Sequence, residues 1–324
     1  MTYIENKTEN LEKNPKISVI TLTYNRAVLL PRAVKSVLNQ TFSDFELIIV
    51  NNASTDNTEE VVRNFRDRRI VYKRNIENKP LGGKNMGLDA AQGKYVVFLD
   101  DDDEFLPGAL ETISAKFEEL GPKGVNIIWF DGIDAESGKF TGFGIREEGY
   151  VAYQDYLCGK ITGDYQIVMA KAVIGNNRFS PDSWAGLLST LLFKLHRDNK
   201  AFHVPKTIIK AYRQHGQSRV SDPGASLLKF MPQIISTSKA FLEEYGAEIK
   251  SCCPAVYGKN QALLGFYQIL HGEKIEGRNN LRKSFKFIFS LKYCFLFLVS
   301  FILSKNQIKF LYLKFFKLKQ ALKS

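Results

Sequence analysis

The feature that most constrains this chain is a series of short, mostly apolar segments in its first 135 residues, separated by helical patterns. The apolar segments are Ile17–Leu22, Phe45–Val50, Ile70–Lys73, Tyr95–Leu99 and Val125–Phe130. Helical periodicity predicts helices between them, over residues 28–38, 58–65, 83–91 and 108–120. Strands that are apolar on both faces and alternate with helices are typical of a mostly parallel sheet covered by helices on both sides. We therefore predict a Rossmann-like α/β fold.

Polar loops follow three of these strands, at residues 23–26, 51–54 and 100–103. In open sheets of this kind, ligands bind beyond the carboxyl ends of the strands. The three loops are therefore the predicted position of a binding site.

The third loop begins with four consecutive acids, Asp100-Asp101-Asp102-Asp103. Adjacent carboxylates repel one another, so such a run favours a compensating cation, and Mg²⁺ or Mn²⁺ with its preference for oxygen ligands suits that role. The alternative is a solvated acidic loop in which Asp103 caps the helix that follows. The spacing alone leaves both interpretations open.

Two long strings carry a family resemblance: KISVITLTYNRAVLLPRAVKSVLNQTFSDFELIIVNNASTDNT, and then GGKNMGLDAAQGKYVVFLDDDDEFLPGALE. With a later Tyr212–Ser218 segment (YRQHGQS), they resemble glycosyltransferase family 2 over about residues 16–221. The resemblance implies the GT-A fold and transfer of a sugar from a nucleotide-diphospho-sugar to an acceptor hydroxyl, with inversion.

The resemblance also implies nucleotide-binding roles. Tyr24 matches the residue that stacks on the base, and Asn52 stands where the family usually has an Asp that accepts the N–H of uracil. An amide oxygen still accepts that bond but lacks the charge, so a UDP-sugar is favoured and the base is left open. The other residues that match the donor site are Thr23, Arg26, Ser54, Lys84, Asp100 and Asp101.

For the metal, the resemblance implies that Asp100 and Asp102 are the outer carboxylates of a DxD motif that binds Mn²⁺ or Mg²⁺. His215 matches the family histidine that reaches the metal or the diphosphate. The remaining three histidines, His196, His203 and His271, are interpreted as structural or surface residues.

One departure from the family concerns the catalytic base, which is expected in a Glu-Asp pair. An ungapped alignment places Leu187-Leu188 there, and leucine cannot take a proton from an acceptor hydroxyl. Asp182, Asp131 and Asp164 are the substitutes that the sequence offers. The alternative to an active enzyme is a catalytically impaired protein that binds nucleotide-sugars as a scaffold.

The charge of the chain is concentrated at its end. Of the formal net charge of +11, Leu281–Ser324 contributes +10, with nine Lys, one Arg and no acid. Within it Ile308, Leu311, Tyr312, Phe315, Leu318 and Leu322 recur at helical spacing. A basic helix with an apolar face is typical of a segment that lies in a membrane interface. The continuous apolar stripe argues against nucleic acid as the partner.

We accordingly divide the chain into a disordered N-terminus (1–15), a catalytic domain (16–224), a helical appendage (225–280) and a membrane-associating tail (281–324). The longest apolar run, Tyr293–Leu303, is too short to span a bilayer. We expect a cytoplasmic enzyme at the inner face of the plasma membrane, acting on a lipid-linked or surface-polysaccharide acceptor.

The four cysteines, Cys158, Cys252, Cys253 and Cys294, have no CxxC spacing. The sequence therefore indicates neither a disulfide scaffold nor a zinc site, and a reducing compartment is the default expectation.

Overall fold

The structure is a computed structural model, and it describes residues 14–183, 190–213 and 228–321. The chain divides into two compact units. The sheet unit comprises the described residues of Met1–Tyr156, Lys160–Pro181 and Leu191–His215, and the helical unit comprises those of Leu157–Gly159, Asp182–Thr190 and Gly216–Ser324.

The strands of the sheet unit are β1 Ile17–Thr23, β2 Phe45–Asn52, β3 Ile70–Asn75, β4 Tyr95–Phe98, β5 Glu104–Phe105, β6 Val125–Asp134, β7 Gly142–Phe143, β8 Gly149–Val151, β9 Thr162–Gly163, β10 Gln166–Ala170 and β11 Lys200–Ala211. The helices in the same part of the chain are α1 Leu30–Leu38, α2 Thr58–Arg63, α3 Pro80–Ala90, α4 Ala109–Leu120, α5 Tyr153–Leu157, α6 Lys171–Ile174 and α7 Thr190–Asp198.

Nine strands form one sheet in the order β3-β2-β1-β4-β10-β6-β11-β5, with β8 paired to β11. Strands β3, β2, β1 and β4 run parallel to one another, whereas β10 runs antiparallel between β4 and β6. The predicted α/β architecture is confirmed: four of the five short apolar segments form the inner strands β1, β2, β4 and β6, and the fifth, Ile70–Lys73, lies in the edge strand β3.

Both faces of this sheet are buried, as the continuous apolar strands predict. Ile17 and Val19 of β1 pack on one face with α1 and α4, and Ile20 packs on the other face with α3. Because successive strand residues point to opposite faces, an apolar run is required wherever both faces are covered.

A buried carboxylate fixes the turn that leads into β4. Glu46 accepts hydrogen bonds from the Ser18 hydroxyl at 2.6 Å and from the backbone N–H groups of Gln92 and Gly93 at 2.6 and 3.2 Å. A Cβ at position 93 would lie 2.5 Å from the backbone nitrogen of Ser18, so only glycine fits there. The start of β4 is thereby held against β1 and β2.

The helical unit contains α8 Met231–Cys252, α9 Pro254–His271, α10 Lys274–Ser284, α11 Leu291–Ile302 and α12 Lys305–Ala321. Its apolar core includes residues from all five helices, among them Ile234, Ile269, Leu281, Leu296 and Ile308. Helix α10 begins at Lys274 and ends at Ser284, so the boundary drawn between residues 280 and 281 falls inside a helix.

The expectation that the cysteines form no disulfide is wrong. Cys158 and Cys253 form a disulfide in the structure, across 95 residues of sequence. Sequence spacing cannot reveal such a pair because the two residues meet only when α8 and α9 are in place.

Across the described residues, no helix combines the length and the hydropathy that a bilayer crossing requires.

Candidate functional site

Three polar loops meet at one edge of the sheet unit. Strands β2, β1 and β4 are adjacent and parallel, and Thr23 of β1 is in register with Asn51 of β2. Their carboxyl ends therefore bring Tyr24, Asn52 and Asp100 to the same edge, as the strand order requires. Tyr24 is 41% exposed at this edge, so its ring is available to stack on a planar ligand.

The first two loops are bonded to each other through Asn25. Its side-chain oxygen accepts the backbone N–H of Thr55 at 2.7 Å, and its own N–H donates to the Ser54 hydroxyl at 2.9 Å. Asn25 has a positive φ of 52°, which asparagine tolerates better than most residues. Ser54, predicted as a donor-site residue, thus holds the loop that carries Tyr24.

Ala53 also adopts a left-handed backbone, with a φ of 65°. A residue with a Cβ is strained in this region, and glycine is the usual occupant. Ala53 is therefore a strained position in the loop after β2.

Asn52 is a buried strand residue and its side-chain amide is bonded on both sides. Its Oδ1 accepts from Asn75 Nδ2 at 3.0 Å, and its Nδ2 donates to Asn78 Oδ1 at 2.7 Å. Strand β2 extends two residues further than predicted and includes Asn51 and Asn52. This cluster of amides carries no formal charge.

Arg26, in the loop after β1, supplies a positive charge to the acidic loop. Its Nη1 donates to Asp101 Oδ1 and to Asp102 Oδ2, both at 2.7 Å. Burial raises the pKa of Asp101 to about 6, against the opposing effects of Arg26 and the Thr23 hydroxyl. Burial opposes ionisation of Arg26 as well, but the two carboxylates outweigh it, and the pKa of the guanidinium is raised.

Three carboxylates converge beside Arg26, and one of them, that of Asp102, belongs to the ion pair. One oxygen each of Asp100, Asp102 and Asp103 lies within 4.8 Å of the others. Such a set of oxygen donors fits a hard divalent cation. Asp103 was not among the predicted ligands, whereas the predicted donor-site residue Asp101 turns to Arg26 and is not one of the three.

Arg32 and Tyr212 hold the acidic loop from outside. Arg32 donates to the backbone carbonyl of Asp102, and its guanidinium lies 3.5 Å from the centre of the Tyr212 ring. The backbone N–H of Tyr212 donates to Asp103 Oδ1 at 2.9 Å. No sequence signal pointed to Arg32, because its helix spacing shows only a polar position on α1.

Lys84 lies near the start of α3, and its ammonium is 5.1 Å from the centre of the Phe98 ring. The next residue, Asn85, exchanges two hydrogen bonds with the backbone of Phe179, at 2.8 and 2.9 Å. Asn85 is thus a positioning residue that sequence reasoning missed. It ties α3 to a segment 94 residues away.

The three candidate bases occupy different environments. Asp131 is 3% exposed, and its Oδ1 lies 3.2 Å from Nε2 of the fully buried His203. Asp164 is exposed and forms an ion pair with Arg213, the neighbour of Tyr212. Asp182 is also exposed and belongs to the helical unit. His215, Leu187 and Leu188 lie outside the described residues.

The family model of Glycosyl transferase family 2 matches residues 18–166, which include all three loops. A Campylobacter jejuni subsp. jejuni serotype O:2 protein, GalNAc(5)-diNAcBac-PP-undecaprenol beta-1,3-glucosyltransferase, is 38% identical over 206 residues. That match covers 62% of this chain and 66% of the relative.

A second relative is the Escherichia coli UDP-Glc:alpha-D-GlcNAc-diphosphoundecaprenol beta-1,3-glucosyltransferase WfaP, 36% identical over 88 residues, which are 27% of this chain and 35% of the enzyme. The chain thus spans just under two thirds of the first relative's length and about a third of the second's. Among solved structures, the S. aureus TarS fragment 1–349 in complex with UDP-GlcNAc aligns with a TM-score of 0.59 at 16% identity, covering 84% of this chain and 90% of that one.

Proposed function

The chain belongs to glycosyltransferase family 2, and from that premise we propose that it is a metal-dependent, inverting glycosyltransferase. It moves a sugar from a nucleotide-diphospho-sugar to a hydroxyl of a lipid-linked or surface-polysaccharide intermediate. The observation that carries this proposal is the meeting of Tyr24, Asn52 and the acidic run at one sheet edge.

A UDP-sugar is the donor that we favour. One relative's name specifies UDP-Glc, and the TarS structure contains UDP-GlcNAc. In this chain the exposed ring of Tyr24 offers a stacking surface for a base. Asn75 uses one lone pair of the Asn52 amide oxygen, and we propose that the other accepts an N–H at the edge of that base.

Asp100, Asp102 and Asp103 would hold Mn²⁺ or Mg²⁺. The bound ion would offset the negative charge that develops on the departing nucleotide diphosphate. Arg26 then has a separate task. It keeps Asp101 and Asp102 from repelling each other, so that Asp102 is held in one orientation before any ligand arrives.

For the base, we favour Asp164 over the other two candidates. A base must come within hydrogen-bond reach of the acceptor hydroxyl, and the buried Asp131 is instead held by His203. Asp164 is exposed, and its partner Arg213 adjoins Tyr212, which is bonded to the acidic loop. Asp164 is therefore linked to the donor side while its carboxylate still faces solvent.

The acceptor that we propose is linked to a lipid diphosphate. Both relatives described above carry undecaprenol diphosphate in their names. The C-terminal helices of this chain independently favour a lipid surface, and they identify the residues that would touch it.

The outer face of α11 is the apolar surface in question. Leu291, Phe295, Leu298 and Ile302 recur at helical spacing and are between 62 and 83% exposed. On α12, by contrast, Ile308 is buried and Tyr312 packs on the core of the helical unit. The apolar stripe predicted on the last helix is therefore partly used for packing, and among the side chains that the structure describes, α11 presents the larger exposed apolar face.

The surroundings of this face are basic. In the sequence, α11 contains Lys292 and is flanked by Lys283, Lys286, Lys305 and Lys309, and no acid occurs after residue 280. Each Lys near an anionic bilayer is worth about 1 kcal/mol, and each apolar side chain that leaves water is worth about 1.5–3 kcal/mol. We propose that this surface binds anionic lipid and holds the enzyme at its membrane-bound acceptor.

A panel of nucleotide-sugars with Mn²⁺, read by thermal shift and by donor hydrolysis or transfer, tests the proposed reaction. We expect one UDP-sugar to raise the melting temperature and to be consumed. Binding without turnover on any lipid-linked acceptor would instead favour the catalytically impaired scaffold.

Sedimentation with liposomes tests the membrane surface separately. Phe295→Gln combined with Leu298→Gln should abolish binding to phosphatidylglycerol vesicles, while Ile275→Gln, also on an exposed site of the helical unit, should leave it unchanged. Equal binding by all three proteins would contradict the role of α11.

A further inference from the structure

Three cysteines converge in the helical unit. Cys158 follows directly after α5, Cys252 is the last residue of α8, and Cys253 precedes α9. The Cys252 sulfur lies 3.4 Å from the sulfur of each of the other two, which are joined as a disulfide. All three sulfur atoms therefore lie within 4.8 Å of one another, although Cys158 is 94 residues away in sequence.

A disulfide accounts for only two of these three sulfurs. The Cys252 thiolate can attack Cys158 Sγ, forming a new S–S bond while the bond to Cys253 breaks and Cys253 leaves as a thiolate. Every such pairing leaves one thiol in contact with a disulfide. The arrangement does not single out one permanent pair, so a role that uses all three sulfurs explains it better.

We propose that Cys158, Cys252 and Cys253, once reduced, form a three-thiolate site for one thiophilic divalent cation of the Zn²⁺ class. A dithiol reductant supplies the two electrons and two protons that open the disulfide, and is itself oxidised to its disulfide. The cation then displaces the thiol protons as it binds.

The geometry is close to what such a cation needs. With Zn–S bonds of about 2.3 Å and tetrahedral angles, bound sulfurs lie about 3.8 Å apart. Cys252 is already 3.4 Å from both partners, so only the Cys158 and Cys253 sulfurs have to separate. Cys252 is exposed, which leaves the fourth coordination position open to solvent or to an added ligand.

Such a site would join the turn after α5 to the corner between α8 and α9 under reducing conditions, where a disulfide does not persist. This inference stands apart from the proposed transferase activity, because none of the three cysteines belongs to the donor loops. If the metal site is disproved, the proposed transferase activity still stands, and the reverse also holds.

The test is metal binding by the full chain, reduced under anaerobic conditions and freed of chelator. Titration with Cd²⁺, followed by the thiolate-to-metal charge-transfer absorption, and competition with Zn²⁺ should show one ion per chain. Cys158→Ser and Cys252→Ser should each lose stoichiometric binding. Cys294→Ser is the matched control. Cys294 lies on α11, outside the cluster, so this variant should still bind one ion per chain.

Cys252→Ser is the decisive variant, since it keeps both cysteines of the disulfide and should fold. If the reduced wild type binds no Cd²⁺ or Zn²⁺, or if Cys252→Ser binds as well as the wild type, the proposal is overturned. In either case the disulfide alone would account for the cluster.

Discussion

Arg26 Nη1 lies 2.7 Å from Asp102 Oδ2, and this ion pair is formed between two loops that are 76 residues apart in sequence. The same nitrogen donates to Asp101. One cation from the loop after β1 thus organises the acidic run after β4, and it does so within the protein itself.

Loss of this cation should destabilise the fold. In Arg26→Gln two buried carboxylates lose their partner, which we expect to lower the free energy of unfolding by about 3 kcal/mol at pH 8. The folded-state pKa of Asp101 is already raised by burial, so the stability linked to this group declines as pH rises through about 6. The difference in unfolding free energy between the wild type and Arg26→Gln, measured by urea unfolding, should therefore be smaller at pH 5 than at pH 8. A deficit independent of pH would contradict this account.

Asp102→Asn should abolish metal-dependent donor binding while the fold survives. The amide keeps the shape of the side chain and removes the charge that both Arg26 and a divalent ion require. Calorimetry with UDP-sugar in the presence and absence of Mn²⁺ is the measurement, and circular dichroism verifies folding. Asp198→Asn, an exposed change on α7, serves as the control. Full transfer by Asp102→Asn would refute the site assignment.

Asp164→Asn should lower kcat by about 10²–10⁴, the range typical of a lost general base, with little change in the KM for the donor. A purely structural role through Arg213 would alter the KM or the melting temperature instead. Asp155→Asn, which also removes an exposed carboxylate paired with a cation, is the control. An unchanged kcat would exclude Asp164 as the base.

Ala53→Gly should stabilise the protein by about 1 kcal/mol, because it relieves the strain of a Cβ at a φ of 65°. Ala115→Gly, in the exposed middle of α4, should lower stability by a similar amount, since glycine weakens a regular helix. Thermal unfolding of both variants measures the contrast. Equal losses would show that position 53 is not strained.

His196 should make the protein sensitive to acid. Its Nε2 accepts the Trp129 indole N–H at 2.6 Å, so the other nitrogen carries the proton and donates to the Leu192 carbonyl. Burial lowers the pKa of His196 to about 4. The stability contributed by a lowered pKa is present above the unfolded value of about 6.5 and is lost as pH falls towards 4. We expect about 2 kcal/mol to be lost between pH 8 and pH 5.

Urea unfolding of His196→Gln should show a weaker dependence on pH over the same interval. Gln can still accept the Trp129 hydrogen bond but does not titrate. If the unfolding free energy of both proteins changes equally with pH, the acid sensitivity belongs to groups other than His196.

The sequence by itself determined the central sheet and predicted where its polar loops lie. Apolar runs such as Ile17–Leu22 require a strand buried on both faces, and the carboxyl ends of adjacent parallel strands lie at one edge, which is where Tyr24, Asn52 and Asp100 are found. These inferences rest on local periodicity and on a general rule about parallel strands. Both can be applied to a short segment without knowing what the rest of the chain contacts.

Only the tertiary structure decided which side chains meet across long intervals. The pairing of Arg26 with Asp102, the bond between Asn85 and Phe179 and the cluster around Cys252 each join residues from distant segments. The packing of Ile308 inward and the exposure of Phe295 were likewise settled by contacts among five helices. Amphipathic spacing shows that a helix has an apolar face, but whether that face meets a core or solvent depends on partners that the segment does not encode.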